Sequence, residues 1–147
     1  MSIRHRVEDA LFLWENGRLE GAFLNILVAV AASSKLRFPR EKDKVSFEKF
    51  LEESTTVKLS VEFRGQLYPI EHILYKWFRC ELLHEGQIPI DVQFMPDTEP
   101  NSATVRAGGA PEYTLKLSLG WFHHLLNIVT SAPENRDEFK NLVLSVK

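Results

Sequence analysis

Arg79 and His84 are the side chains of this sequence best suited to chemistry. They stand five positions apart within IEHILYKWFRCELLHEG, Ile70–Gly86. A histidine titrates near neutrality and exchanges protons at working pH. An arginine presents a planar fork of donors that matches phosphate or carboxylate oxygens. Together they suit proton transfer beside an anion. Five positions on an α-helix amount to about 140° of rotation. On one straight helix the two side chains therefore diverge. Convergence needs a frayed helix end or a second copy of the chain.

The neighbours of this pair have plain and functional readings side by side. His84 also fits a helix C-terminus, where the dipole favours a cation. Arg79 also fits a surface ion pair with Glu81 or Glu85. Glu81 precedes His84 by three residues and can orient its ring, or form an ordinary helix salt bridge. Cys80 is the lone cysteine. It reads first as a small packing residue. As a nucleophile it would need a base, and His84 is four residues further on. Lys76 and His72 lie towards Arg79 and can add substrate contacts, or simply be solvated.

Other suggestive pairs carry less. His123 and His124 are adjacent, so they point about 100° apart on a helix and do not chelate one ion together. No metal site and no cofactor is expected. Gly108-Gly109 lacks the strand–loop–helix setting of a phosphate loop and reads as a hairpin turn.

The elements that must position Arg79 and His84 follow from periodicity. Val7, Ala10, Leu11 and Trp14 predict a helix over about Arg4–Glu15, and Asn16-Gly17 a turn. A mostly apolar second helix is predicted over about Arg18–Ser34, antiparallel to the first. Ser46 marks a third helix start, with Phe47, Phe50 and Leu51 as its stripe. Val57, Leu59, Val61 and Phe63 alternate as a half-buried strand, and Arg64-Gly65-Gln66 turns the chain. Pro69 suits the first turn of the helix that reaches about His84, and Gly86 stops it. On that helix Ile70, Ile73, Leu74, Trp77, Glu81 and His84 share one arc, which should face the core. Tyr75, Leu82 and Leu83 make the other side apolar, as a two-fold contact would require. Three short strands follow, through Ile90–Phe94, Val105 and Tyr113–Leu117, expected as a meander. Helices over about Leu119–Ser131 and around Phe139, Leu142 and Val143 complete the chain. Trp121 and Phe122 are expected in the core.

Bulk properties set the limits. The 147 residues fit one domain, 1–147, with 44% hydrophobic and 26% charged residues and a formal charge of −2. A strongly basic nucleic-acid binder would look different, so any anion contact must be local. One cysteine excludes an intrachain disulfide and a cysteine-rich zinc site. The longest apolar run, Ile26–Ala32, is too short to span a bilayer, and the N-terminus has no hydrophobic signal core. A cytoplasmic location without membrane association is expected.

GRLEGAFLNILVAVAASSK, followed later by LYKWFRCELLHEG, resembles the HEPN family of helical domains. That family's pattern is an arginine, four to six intervening residues and a histidine near a helix end. Arg79-Cys80-Glu81-Leu82-Leu83-His84 fits it with four. The expected fold is α+β and predominantly α: a HEPN-like helical bundle with a small antiparallel β-sheet inserted at about 88–118. The resemblance implies a metal-independent endoribonuclease or RNA-binding protein, acting as a homodimer with a composite site. His84 would be general acid or base, and Arg79 would hold the scissile phosphate. Lys76, Cys80 and Glu81 would lie on the substrate side, and a 2′,3′-cyclic phosphate would be the product. RNA and an antitoxin-like inhibitory protein are the implied partners. Family enzymes often carry asparagine, aspartate or histidine directly after the arginine, where this chain has Cys80. The rival readings are a noncatalytic interaction scaffold and a small-molecule or nucleotide binder with a pocket between sheet and helices.

Overall fold

The computed structural model describes residues 2–56, 58–97, 99, 102–108 and 114–140. The expectations for Val57, Gly109, Tyr113, Leu142 and Val143 lie outside them. The architecture is α+β and predominantly α.

Helix α1 (Ile3–Glu15) starts at Ser2, whose hydroxyl accepts the His5 N–H at 3.4 Å. Its apolar stripe, Ile3, Val7 and Ala10, is buried. Gly17, at φ +72°, reverses the chain. Helix α2 (Leu19–Arg37) then packs back on α1. It is the central helix, and it also touches α3 and α6 below. Phe23 shows why it is apolar on most sides. That ring is fully buried and packs against Trp14, Phe94 and Phe122 at 4.5–6.3 Å between centroids. By length and composition α2 could also cross a bilayer. Here Ala22, Phe23, Ile26, Leu27, Ala29 and Val30 are buried within the fold.

Helix α3 (Asp43–Ser54) begins three residues earlier than Ser46 suggested. Asp43 occupies its first turn, where the helix dipole favours an anion. Ser46 is instead buried within the helix, its hydroxyl donating to the Asp43 carbonyl at 3.1 Å.

Strands β1 (Ser60–Phe63) and β2 (Gln66–Pro69) pair antiparallel, with Ser60 opposite Pro69 and Phe63 opposite Gln66. Arg64 and Gly65 both have positive φ, +52° and +80°, which suits a two-residue hairpin turn. β2 is an addition to the sequence reading. Its residues are exposed or half-buried, so no inward-facing alternation marks it.

Pro69 precedes one continuous helical rod. The rod comprises α4 (Ile70–Ile73), a π segment (Leu74–Cys80) and α5 (Glu81–Glu85). Gly86, at φ +76°, ends it as expected. The π segment corrects the predicted inward arc. Ile70, Ile73, Leu74 and Trp77 are buried, but the buried face continues through Phe78 and Leu82. Glu81 is only half-buried and His84 is exposed. Bonding from i to i+5 absorbs an extra residue, so positions downstream lag by one and Leu82 takes the place expected for Glu81.

Strands β3 (Val92–Met95), β4 (Val105–Ala107) and β5 (Leu115–Ser118) form a second sheet in the order β3-β5-β4. The sheet lies where the insertion was expected, but it is not an antiparallel meander. β5 pairs antiparallel with β4 and parallel with β3. The chain between β3 and β5 supplies β4 on the far side of β5, so β3 and β5 run the same way. Ile90, expected in the first strand, lies outside it and is 96% exposed.

Helix α6 (Gly120–Ser131) leaves the sheet at once. Asp97 Oδ1 accepts the Gly120 N–H at 2.6 Å, and the Trp121 indole donates to the Thr104 carbonyl at 3.0 Å. A Cβ at Gly120 would collide with the Ser102 carbonyl, so this crossing needs glycine. Trp121 and Phe122 are buried, as expected. A 3₁₀ turn, Pro133–Asn135, breaks the chain after α6. Asn135, fully buried, locks that turn by donating to Ser33 Oγ at 2.8 Å and the Val129 carbonyl at 2.9 Å.

Candidate functional site

The π segment carries Tyr75, Lys76, Arg79 and Cys80. Its wider turn brings residues four and five apart towards one face. Tyr75 is thus gathered with Arg79 and Cys80. The Arg79 guanidinium carbon lies 5.4 Å from the Tyr75 ring centroid, a cation–π contact. Burial first, and then the Cys80 thiol, push the Tyr75 hydroxyl above its usual range. Tyr75 also meets Phe47 of α3 in an edge contact, with centroids 5.3 Å apart.

Arg79 is half-buried, and its Nε is enclosed with no hydrogen-bond partner. Among the described residues its guanidinium makes no hydrogen bond and no ion pair. Asp43 is the acid that feels Arg79, but its carboxylate is engaged by Lys35 Nζ at 2.9 Å. That hydrogen bond, more than Arg79, pulls the Asp43 carboxyl below its ordinary range. Arg79 therefore presents a fork of donors with unused capacity on a surface that also offers aromatic packing.

His84 sits in the last turn of α5, exposed, with no hydrogen bond or ion pair among the described residues. Arg79 lies near the end of the π segment and most of the steps from it to His84 are α turn, which sets the two roughly 140° apart. One copy does not point both side chains at one atom. Glu81 is half-buried and does not bond to His84; it adds its charge to the surroundings of Arg64. Lys76 is exposed, with its ammonium 5.0 Å from the Trp77 ring centroid. The apolar side opposite the core is largely used within the chain: Tyr75 meets Phe47 and Leu82 is buried. Leu83, 48% exposed, remains on the surface.

Three of the other four histidines have structural settings; His5, exposed in the first turns of α1, makes no side-chain bond among the described residues. His72 Nδ1 lies 2.9 Å from Glu48 Oε1, and its ring stacks on Tyr68 and meets the edge of Trp77. It is a link between α3 and α4, set apart from Arg79. His123 packs against Trp14 and Phe122, and His124 against Trp121. Burial lowers the pKa of both and favours the neutral ring.

Two polar features escaped the sequence reading. Glu71 is only 7% exposed and lines a cavity of about 260 Å³ with Glu48, Glu52 and Lys58. An acid in a helix's first turn is commonplace, and this one is enclosed by α3 and the β1–β2 hairpin, elements distant in sequence or unforeseen. Arg64, whose Nε and Nη2 each reach the Asp91 carboxylate at 2.8 Å, closes the hairpin onto the loop before β3. Its positive φ gave no signal in a residue type that rarely adopts one.

No curated protein and no solved structure matches the chain. A family model matches residues 2–145, from just before α1 to beyond the 3₁₀ turn, and the chain belongs to that family, Rv1289.

Proposed function

We propose that this protein binds RNA through Arg79 and cleaves it without metal, at a composite site where His84 of a second copy meets Arg79 of the first. The observation that carries this reading is the π segment, with Arg79 enclosed at Nε and unpaired. Such segments are rare, and they are frequent at functional sites. An arginine held on a tyrosine, with no acid bonded to it, is set to receive an oxyanion. His84 is exposed at the end of the rod, and histidine is the side chain most often used as general acid or base. The divergence of the two groups on one rod is the reason for a dimer. In this scheme His84 takes the proton from the ribose 2′-hydroxyl or returns one to the leaving 5′-oxygen. Arg79 neutralises charge growing on the phosphate, and a 2′,3′-cyclic phosphate remains. Lys76 and Glu81 border the path of the strand, the protein works in the cytoplasm, and an inhibitory protein partner is part of the same reading.

The test uses defined single-stranded RNAs with a chelator present. Wild-type protein should cleave them and leave cyclic-phosphate ends. His84→Ala and Arg79→Ala should each lose roughly two orders of magnitude or more, the scale of acid–base and oxyanion contributions. Unchanged cleavage by His84→Ala overturns the proposal.

A noncatalytic interaction domain is the second reading, and Cys80 favours it. Its thiol faces Tyr75 beside Arg79 and supplies only a weak donor. In that case the same Arg79 shelf would bind RNA or protein, and the chain would cleave nothing.

A further inference from the structure

A cavity of about 260 Å³ opens between α3, the β1–β2 hairpin and the start of α4, away from Arg79 and His84. Its walls are Glu48 and Glu52 from α3, Glu71 from α4, Lys58 before β1, and Leu59, Ser60 and Pro69 from the hairpin. Glu71 is the unusual member. It is more than nine-tenths buried, yet among the described residues its carboxylate takes part in no ion pair and no hydrogen bond to another side chain. Its own backbone N–H offsets part of the cost of burial. Burial, and after it the charges of Glu52 and Glu48, push the Glu71 carboxyl up. Lys58 offsets little. It lies 3.7 Å from Glu52, with a side chain 90% exposed. Glu48 in turn is held by His72 at 2.9 Å.

A buried acid of this kind is unfavourable unless something neutralises it. We propose that the cavity binds a small aliphatic amine, whose ammonium group seats against Glu71 and Glu48 while its methylenes lie along Leu59 and Pro69. Glu52 has Lys58 and Glu48 has His72, so Glu71 is the acid of this cavity without a basic partner among the described residues, and a second ammonium reaching Glu52 at the rim competes only with an exposed lysine. The donor set argues for an amine over a metal ion. Among the described residues no three acids, histidines or cysteines stand close enough to hold one cation. The volume suits a chain of a few carbons, below the range of drug-sized sites.

Calorimetric titration of the full chain with putrescine tests the assignment, beside butanol as the uncharged analogue. Putrescine should bind and raise the melting temperature, and butanol should do neither. Glu71→Gln should weaken putrescine roughly tenfold or more, as loss of a desolvated charge partner does. Glu20→Gln, in the first turn of α2, should bind as wild type does. Absence of wild-type binding, or equal binding by Glu71→Gln, overturns the proposal. So does an equal stabilisation by magnesium at matched charge, which would signal a general counterion effect. If Glu71→Gln fails to fold, the double substitution Glu48→Gln with Glu52→Gln carries the same two outcomes.

Discussion

Arg37 and Arg79 are half-buried arginines on aromatic rings, and they differ in one respect. The Arg37 guanidinium lies 4.6 Å from the Phe50 centroid, and that of Arg79 lies 5.4 Å from Tyr75. Arg37 is then clasped by two acids. Both Glu134 oxygens accept from it, Oε2 at 3.2 Å, and Glu53 lies at 3.4 Å. Arg79 has no such clasp, and its Nε is enclosed without a partner. Arg6 shares an orphaned Nε, but its other nitrogens reach Asp9 at 2.7 Å and Asn25 at 3.2 Å. A guanidinium whose donors are taken holds elements together. One whose donors are spare has capacity for something outside the chain. The histidines divide the same way. His72 is tied to Glu48, and His123 and His124 are packed on aromatic rings. His84 and His5 are exposed with no side-chain bond among the described residues, and of these two only His84 shares the rod with Arg79.

The largest expected effect breaks this comparison if it fails. Alanine at Arg79 should cut RNA cleavage by roughly two orders of magnitude or more and barely move the melting temperature. Alanine at Arg37 should do the reverse. A composite site adds a sharper requirement. Arg79→Ala and His84→Ala proteins, each inactive alone, should regain activity when mixed and allowed to exchange subunits. A mixed dimer keeps one site with both groups intact. Failure of the mixture to recover, with subunit exchange demonstrated, would leave each copy to act alone and remove the dimeric mechanism.

Much of the scaffold around these residues was legible in the sequence, and the reasons are local. Val7, Ala10 and Trp14 set α1, the apolar run of α2 marked the central helix, and Gly86 marked the end of the rod. What was hidden depends on partners distant in sequence. β2 packs only Tyr68 inward, against His72 and Trp77, and leaves Leu67 70% exposed, so no alternation betrays it. Strand order is not written in the pattern of any single strand, so the parallel β3–β5 pair looked like part of a meander. The π segment packs on α2 and α3, a setting no local pattern shows, and a strict 100° step placed Glu81 and His84 one position out of register. Arg79 and His84 were visible as residue types at a spacing. That one lacks a partner and the other faces solvent could be read only from the fold.

Arg37 gives the next effect in size. Arg37→Ala should destabilise the fold by about 1–2 kcal/mol, a forked and partly sheltered ion pair discounted for its exposure. The sign of the pH dependence follows from Glu134. The hydrogen bond from Arg37 holds its carboxyl below the ordinary glutamate range in the folded state. The folded carboxylate therefore binds its proton less readily than the unfolded one. The pair's contribution is complete above the unfolded pKa and disappears as pH falls through the folded value. Denaturant melts taken from neutral to acid pH should show wild type and Arg37→Ala converging at the acid end. A gap that stayed constant would mean that Arg37 works through packing on Phe50 and not through charge.

Gly86 offers the smallest effect and the finest control on His84. Its φ of +76° is the left-handed conformation, and a Cβ there meets nothing within 4 Å. Substitution therefore adds backbone strain without adding a clash. Gly86→Ala should lower stability by about 1 kcal/mol, and Gly86→Asn by less, because asparagine tolerates this region. His84 lies two residues upstream, in the turn that this cap terminates. If its presentation to a second copy depends on how the rod ends, cleavage should fall in the order glycine, asparagine, alanine while the Arg79 shelf stays intact. RNA binding, measured separately by fluorescence anisotropy, should then be level across all three. Cleavage equal across the three proteins would detach His84 from the geometry of the cap.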